Sequence, residues 1–192
     1  MNRRTYLATV ATAGTAATAG CGALDRETLS EPTVSSDGPG RGVIEFEAGG
    51  SEVGHLGVDG GVDGDTVELG TEIWHREGTR VESITLELWM PPNDATAEVA
   101  VVSPVEGDSS PPPALSLYTP EDRQGTAIEI TDLDDLADET ISTLDLRVEP
   151  GPETEPTLVV DAVIELATAS PLGGGYECDG KLRLNFPELD GR

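Results

Sequence analysis

Ile84-Thr85-Leu86-Glu87-Leu88-Trp89-Met90 decides the fold class, because every second residue is apolar and the positions between carry Thr, Glu and Trp. An extended chain turns successive side chains to opposite faces, so a period of two marks a strand with one buried face. The same alternation sets Ile44 and Phe46 against Glu45 and Glu47, and Leu182, Leu184 and Phe186 against Lys181, Arg183 and Asn185. Shorter runs predict further strands over 53–58, 67–74, 97–102, 114–118, 127–130, 141–148 and 157–166. Between them stand Asp59-Gly60-Gly61, Pro91-Pro92-Asn93, Pro111-Pro112-Pro113, Glu149-Pro150-Gly151-Pro152 and Gly173-Gly174-Gly175, all read as breakers. Only 133–139 offers room for a helical turn or two. About eight to ten short strands in roughly 150 residues, with frequent turn signals, predict one antiparallel, immunoglobulin-like β-sandwich over residues 41–192.

One pairing is expected in detail. Facing residues of an antiparallel pair share a side of the sheet, so the register must match apolar to apolar. Ile84 opposite Ile73, Leu88 opposite Leu69 and Met90 opposite Val67 meet that condition, whereas a one-residue slide sets Ile84 against Glu72. The hairpin so formed has Gly78-Thr79 as a two-residue loop, and glycine at the first loop position suits a type II′ turn. On that register Gly78→Val should destabilise the domain more than Thr79→Val. His75 then faces Glu82, and Trp74 and Trp89 share the polar face.

Charge narrows the classes of function. The 192 residues hold 11 Lys+Arg against 37 Asp+Glu, a formal charge of −26, and Lys181 is the only lysine. There is no basic patch to neutralise phosphates, so nucleic acid is excluded as a partner. Mutual repulsion of so many carboxylates opposes compaction unless salt screens it. The Debye length is about 3 Å at 1 M salt against roughly 8 Å at physiological strength, so the domain should loosen below about 0.5 M.

Residues 1–20 differ from the remainder: two arginines, no acid, then Ala, Thr, Gly and a few larger apolar residues. That composition reads as an export signal. Asn2-Arg3-Arg4-Thr5-Tyr6-Leu7 resembles the twin-arginine export motif, and Thr18-Ala19-Gly20-Cys21 resembles a lipobox, with Thr18 where Leu or Val is usual. Together with the acid excess and the single lysine, these motifs resemble exported lipoproteins of extremely halophilic archaea. The resemblance covers the first 21 residues and implies a diacylglyceryl thioether on Cys21, two acyl chains being enough for stable anchoring. The mature chain would then have 172 residues, with 9 Lys+Arg against 37 Asp+Glu, hence a charge of −28. Residues 21–40 lack apolar periodicity and read as a flexible, lipid-anchored tether.

Candidate chemistry is sparse. His75 with Glu82 would be an acid/base pair or half a metal site, but no nucleophile or further ligand accompanies them, so a structural cross-strand pair is expected. His55 is the only other histidine. Cys178, in Tyr176-Glu177-Cys178-Asp179, has acidic neighbours that disfavour the thiolate, and a buried small residue is expected there, ahead of an intermolecular disulfide. Asp59, Asp63 and Asp65 lie on a glycine-rich run, and Asp132, Asp134, Asp135, Asp138 and Glu139 form a second acidic cluster. Calcium takes six to eight oxygens, but neither run has a full calcium-loop pattern, and no metal or cofactor is expected. Trp74 and Trp89 among acids would suit a sugar-binding or protein-binding patch, but cover by a second sheet edge, a loop or the tether is expected ahead of it. No Asn-x-Ser/Thr acceptor occurs.

The expectation is a non-enzymatic lipoprotein on the extracellular face of the cell membrane, held by lipid on Cys21, with an envelope protein or glycan as partner. The alternative is an extracytoplasmic hydrolase using His75 and Glu82.

Overall fold

A computed structural model describes residues 26–91, 98–103, 114–120, 125–133, 142–151, 154–169 and 174–190. Arg3, Arg4, Cys21, residues 134–139 and the acids among them lie outside this set. Twelve strands are present: β1 (Arg26–Leu29), β2 (Thr33–Gly38), β3 (Arg41–Ala48), β4 (Ser51–Asp63), β5 (Thr66–His75), β6 (Thr79–Trp89), β7 (Glu98–Ser103), β8 (Ala114–Tyr118), β9 (Thr126–Thr131), β10 (Ser142–Glu149), β11 (Thr157–Thr168) and β12 (Gly175–Asn185). They form two six-stranded sheets. Sheet I has the order β1-β12-β11-β6-β9-β8 and sheet II the order β2-β3-β4-β5-β10-β7. The chain is an all-β sandwich of two sheets, as the alternation predicts.

The period-two residues make its core. Sheet I turns Ile84, Leu86, Leu88, Val160, Ile164, Leu182 and Leu184 inward, and sheet II meets them with Ile44, Phe46, Leu56, Val58, Leu69, Ile73 and Leu146, all buried. Burial of each such side chain is worth about 1.5–3 kcal/mol. This apolar centre is what allows so acidic a chain to fold.

The expected β5–β6 hairpin does not form. β5 pairs with β4 and β10, while β6 pairs with β11 and β9, so the two strands lie in different sheets. Ile84 stands opposite Ile164 and Ile130, and Ile73 opposite Leu56. Two strands that face each other across a core need the same apolar alternation as two strands side by side, so hydrophobic matching does not separate the cases. Arg76-Glu77-Gly78 carries the chain from one sheet to the other. Gly78 has φ +81°, but Thr79 is no loop residue: it opens β6 and is buried. The predicted order of the Gly78→Val and Thr79→Val effects loses its basis.

Two further expectations are corrected. The folded part includes Arg26–Leu29 and Thr33–Gly38 and does not start at residue 41, because β1 and β2 take up half of the expected tether. Both are edge strands with almost no burial, so they have no apolar alternation to read. β1 also runs parallel to β12, the one parallel pairing among the described strands. Asp59-Gly60-Gly61 does not break the chain, since β4 continues through it to Asp63. A Cβ on Gly60 would lie 2.5 Å from Leu69 Cδ2, so a side chain has no room there.

Candidate functional site

An open recess lies on the outer face of sheet I, where polar positions of three adjacent strands fall in register. Glu87 of β6 stands opposite Asp161 of β11, which stands opposite Lys181 of β12. One row along, Trp89 faces Val159, and on the other side Thr85, Val163 and Asp179 align. The connection from β1 to β2 rises beside this floor with Ser30, Glu31 and Pro32, and Val34 of β2 adds an exposed apolar side chain. The result is an open groove of about 960 Å³.

Its centre is an ordered trio. Lys181 Nζ lies 2.8 Å from Asp161 Oδ2 and 5.2 Å from the centroid of the Trp89 ring. The only lysine of the chain is thus held between a carboxylate and an indole face. Glu87 beside it is only 8% exposed. The ammonium has donors beyond the one it gives Asp161, and the carboxylate retains lone pairs. With the indole, these groups offer hydrogen bonds beside an apolar ledge, which is the make-up of a site for a polar ligand with one apolar face.

Sheet II presents a different outer face. His55 stacks on Trp74 with ring centroids 5.4 Å apart, and its Nδ1 lies 2.6 Å from Glu52 Oε1. Nearby, two shallow recesses of about 480 and 340 Å³ share Asp59, Gly70 and Asp145. Trp74 and Trp89 both point outward as predicted, but from opposite sheets, so they form no common patch. The reason is the lost hairpin.

His75 and Glu82 also part company. His75 continues the inward row of β5 and is 3% exposed, with Nδ1 3.1 Å from Thr79 Oγ1. Thr79 Oγ1 donates to the Arg76 carbonyl at 2.6 Å. Glu82 belongs to the outer surface: the β6–β11 register shifts between Glu165 and Leu166, so Glu82 is passed over while Val81 faces the core. Its carboxylate binds the guanidinium of Arg26 and accepts from Arg80 at 3.1 Å. Arg26 also reaches Glu165 at 2.8 Å, and Ser83 Oγ donates to the same Glu165 at 2.9 Å. This network at the start of β1 has no sequence signal, because its members are far apart in the chain.

Cys178 is buried in β12 beside Leu29 and Ile164, as expected of a small core residue. Burial, with a smaller contribution from Glu177, pushes its thiol from 9.0 up to about 12. Asp59 pairs with Arg41, and among the described residues no group of three or more His, Cys, Asp or Glu is placed to hold a metal ion. No helix of the described residues is long and apolar enough to cross a membrane.

A family model described as Domain of unknown function (DUF8121) matches residues 26–188. No curated protein matches the chain. Among solved structures, the N-terminal periplasmic domain of ScsB from Proteus mirabilis is similar at 9% identity, over 73% of this chain and 49% of that one, with a TM-score of 0.37. The chain therefore spans about half the length of that structure. A collagen-binding domain from a Staphylococcus aureus adhesin is similar at 10% identity, over 67% of this chain and 95% of that one, with a TM-score of 0.40. The human F-spondin reeler domain is similar at 9% identity, over 84% of this chain and 91% of that one, with a TM-score of 0.37.

Proposed function

Starting from the fact that the chain belongs to that family across most of its length, we propose a non-catalytic cell-surface binding domain adapted to high salt. On this reading Arg3 and Arg4 direct export, lipid on Cys21 anchors the protein at the extracellular face of the membrane, and the Trp89 groove receives an envelope protein or glycan.

The observation that carries the binding role is the Lys181–Asp161–Trp89 trio. It offers donors, acceptors and an apolar ring on a rigid three-strand floor, while both histidines lie on strands of the other sheet. Hydrolysis would need a nucleophile held by a base. The lipid role is supported by the small residues before Cys21 and by the arginine pair upstream. The salt role is supported by the formal charge of −26, which compaction tolerates only when screened.

Intrinsic Trp fluorescence, titrated in 2 M salt with a panel of soluble glycans and envelope glycopeptides, tests the binding role. The expected result is saturable binding that Trp89→Ala and Lys181→Ala each weaken at least tenfold and Trp74→Ala leaves unchanged. Equal loss in the Trp74 and Trp89 variants, or steady turnover of a bound glycan, contradicts it. Dialysis below about 0.5 M salt, followed by circular dichroism, tests the salt role. Loss of the β signal is expected, and an unchanged spectrum contradicts it.

A further inference from the structure

We infer that the domain stands on the lipid surface by one particular end of the sandwich, the end that carries Arg26, the Gly49–Gly50 turn, the Arg76–Gly78 corner and Gly174. The inference rests on the lipid-anchor reading of Cys21 and adds an orientation to it.

The direction of β1 comes first. Arg26 stands opposite Gly175, Gly175 opposite Ala167, and Ala167 opposite Arg80. The chain therefore enters the fold at the end where β5 crosses to β6 and where β11 turns back to β12. Ala169 N donates to the Gly78 carbonyl at 2.8 Å, and Arg76 N to the Val53 carbonyl at 3.0 Å, so these loops belong to one surface. The Asp63-Gly64-Asp65 turn lies at the other end, with Gly40 and Phe186.

The entry point is also fixed. Arg26 reaches across β12 to carboxylates on β11 and β6, namely Glu165 and Glu82. A strand held by backbone pairing and by two carboxylates does not peel freely from the sheet edge.

Length then decides what touches the membrane. Five peptide steps separate Cys21 from Arg26, and at about 3.6 Å each they span at most roughly 18 Å. A tether running to residue 40 would have reached about 70 Å and left the domain free to tumble. The sandwich itself is longer than the leash: the 12 residues of β11 extend about 40 Å at 3.3 Å per residue. The end bearing Arg26 is consequently held within about 18 Å of the headgroups, whereas the end bearing Asp63 can stand up to about 40 Å farther out. Arg76, which donates to Tyr176 Oη at 3.1 Å, and Arg80 are the cations presented there. Glu47, Glu52 and Glu77 share that end, so the leash and not net charge sets the orientation.

The test uses the full mature lipoprotein from its export host, in phosphatidylcholine–phosphatidylglycerol vesicles with a headgroup acceptor dye, in 2 M salt. Donor dyes are placed on Ser51→Cys at the anchored end or on Asp63→Cys at the other, Cys178 being buried. Energy transfer is expected to be several-fold stronger from position 51, and 20 Gly/Ser residues inserted between positions 25 and 26 should erase the difference. Mass spectrometry of the N-terminal peptide separates the two ways of failing. A lipidated Cys21 with equal transfer from both positions overturns the orientation alone. A chain without the diacyl mass overturns the anchor reading and the orientation with it.

Discussion

The two ends of the sandwich are closed by different chemistry. At the end away from Arg26, Phe186 fills the gap between the sheets: a Cβ on Gly40 would lie 2.8 Å from its ring, and one on Gly60 3.2 Å. Backbone bonds from Gly40 N to the Asn185 carbonyl and from Gly60 N to the Gly40 carbonyl, at 2.9 and 2.8 Å, draw the strands around that ring. At the Arg26 end the closure is polar, made by His75, Thr79 and the Arg76 carbonyl. An apolar plug gains from every atom it removes from water, whereas a buried polar plug contributes little net and is costly only when broken. The difference teaches why the chain can turn a corner at one end. A crossover leaves backbone groups without ladder partners, and Thr79 supplies a partner for the Arg76 carbonyl.

The largest expected effect probes the apolar end. Phe186→Ala should cost about 3–5 kcal/mol, measured by denaturant unfolding in 2 M salt. Thr79→Val keeps the shape and removes the hydroxyl; the Arg76 carbonyl still accepts from Thr79 N at 3.1 Å, so the cost is that of one net hydrogen bond, about 0.5–1.5 kcal/mol. Equal losses in these two variants would break the comparison.

A third test uses pH. Cys178 lies beside β1, in the half of the sandwich nearer Arg26. The unfolded thiol ionises near 9.0 and the folded one holds its proton to about 12, so the unfolded state loses the proton first as pH rises. Stability from this group is complete below pH 9 and falls above it, by about 1.4 kcal/mol at pH 10. The difference between wild type and Cys178→Ala in thermal melts at pH 8 and 10 should show this slope in the wild type alone. The smallest effect belongs to Arg26→Ala: its ion pairs are partly exposed, and such pairs are worth about 0.2–1 kcal/mol. That variant should shift the melting temperature slightly while loosening β1 selectively.

These contrasts follow what was legible in the chain. Leu182, Leu184 and Phe186 announce an inward row by alternation, so the apolar end and the core could be read directly. Thr71 and His75 continue the inward row of β5, and nothing in a polar residue's identity announces that it faces inward. Alternation assigns faces and leaves neighbours open, which is why Ile73 and Ile84 matched as a hairpin although they face each other's sheet. β1 and β2 carried no signal because edge strands are defined by backbone pairing. Of the groove, Trp89 and the lone Lys181 stood out in the sequence. Their meeting with Asp161 depends on the β6-β11-β12 order, which no local pattern encodes.

The account depends most on Arg26–Leu29 being part of the folded domain, since that shortens the leash and chooses the end held to the membrane. Hydrogen–deuterium exchange of the intact protein in 2 M salt, followed on a peptide spanning Arg26–Leu29, tests it most directly. Protection well above that of an unstructured chain, lowered by at most about fivefold on Arg26→Ala, is the result expected. Exchange of that peptide at the rate of an unstructured chain would contradict the account and restore a flexible tether.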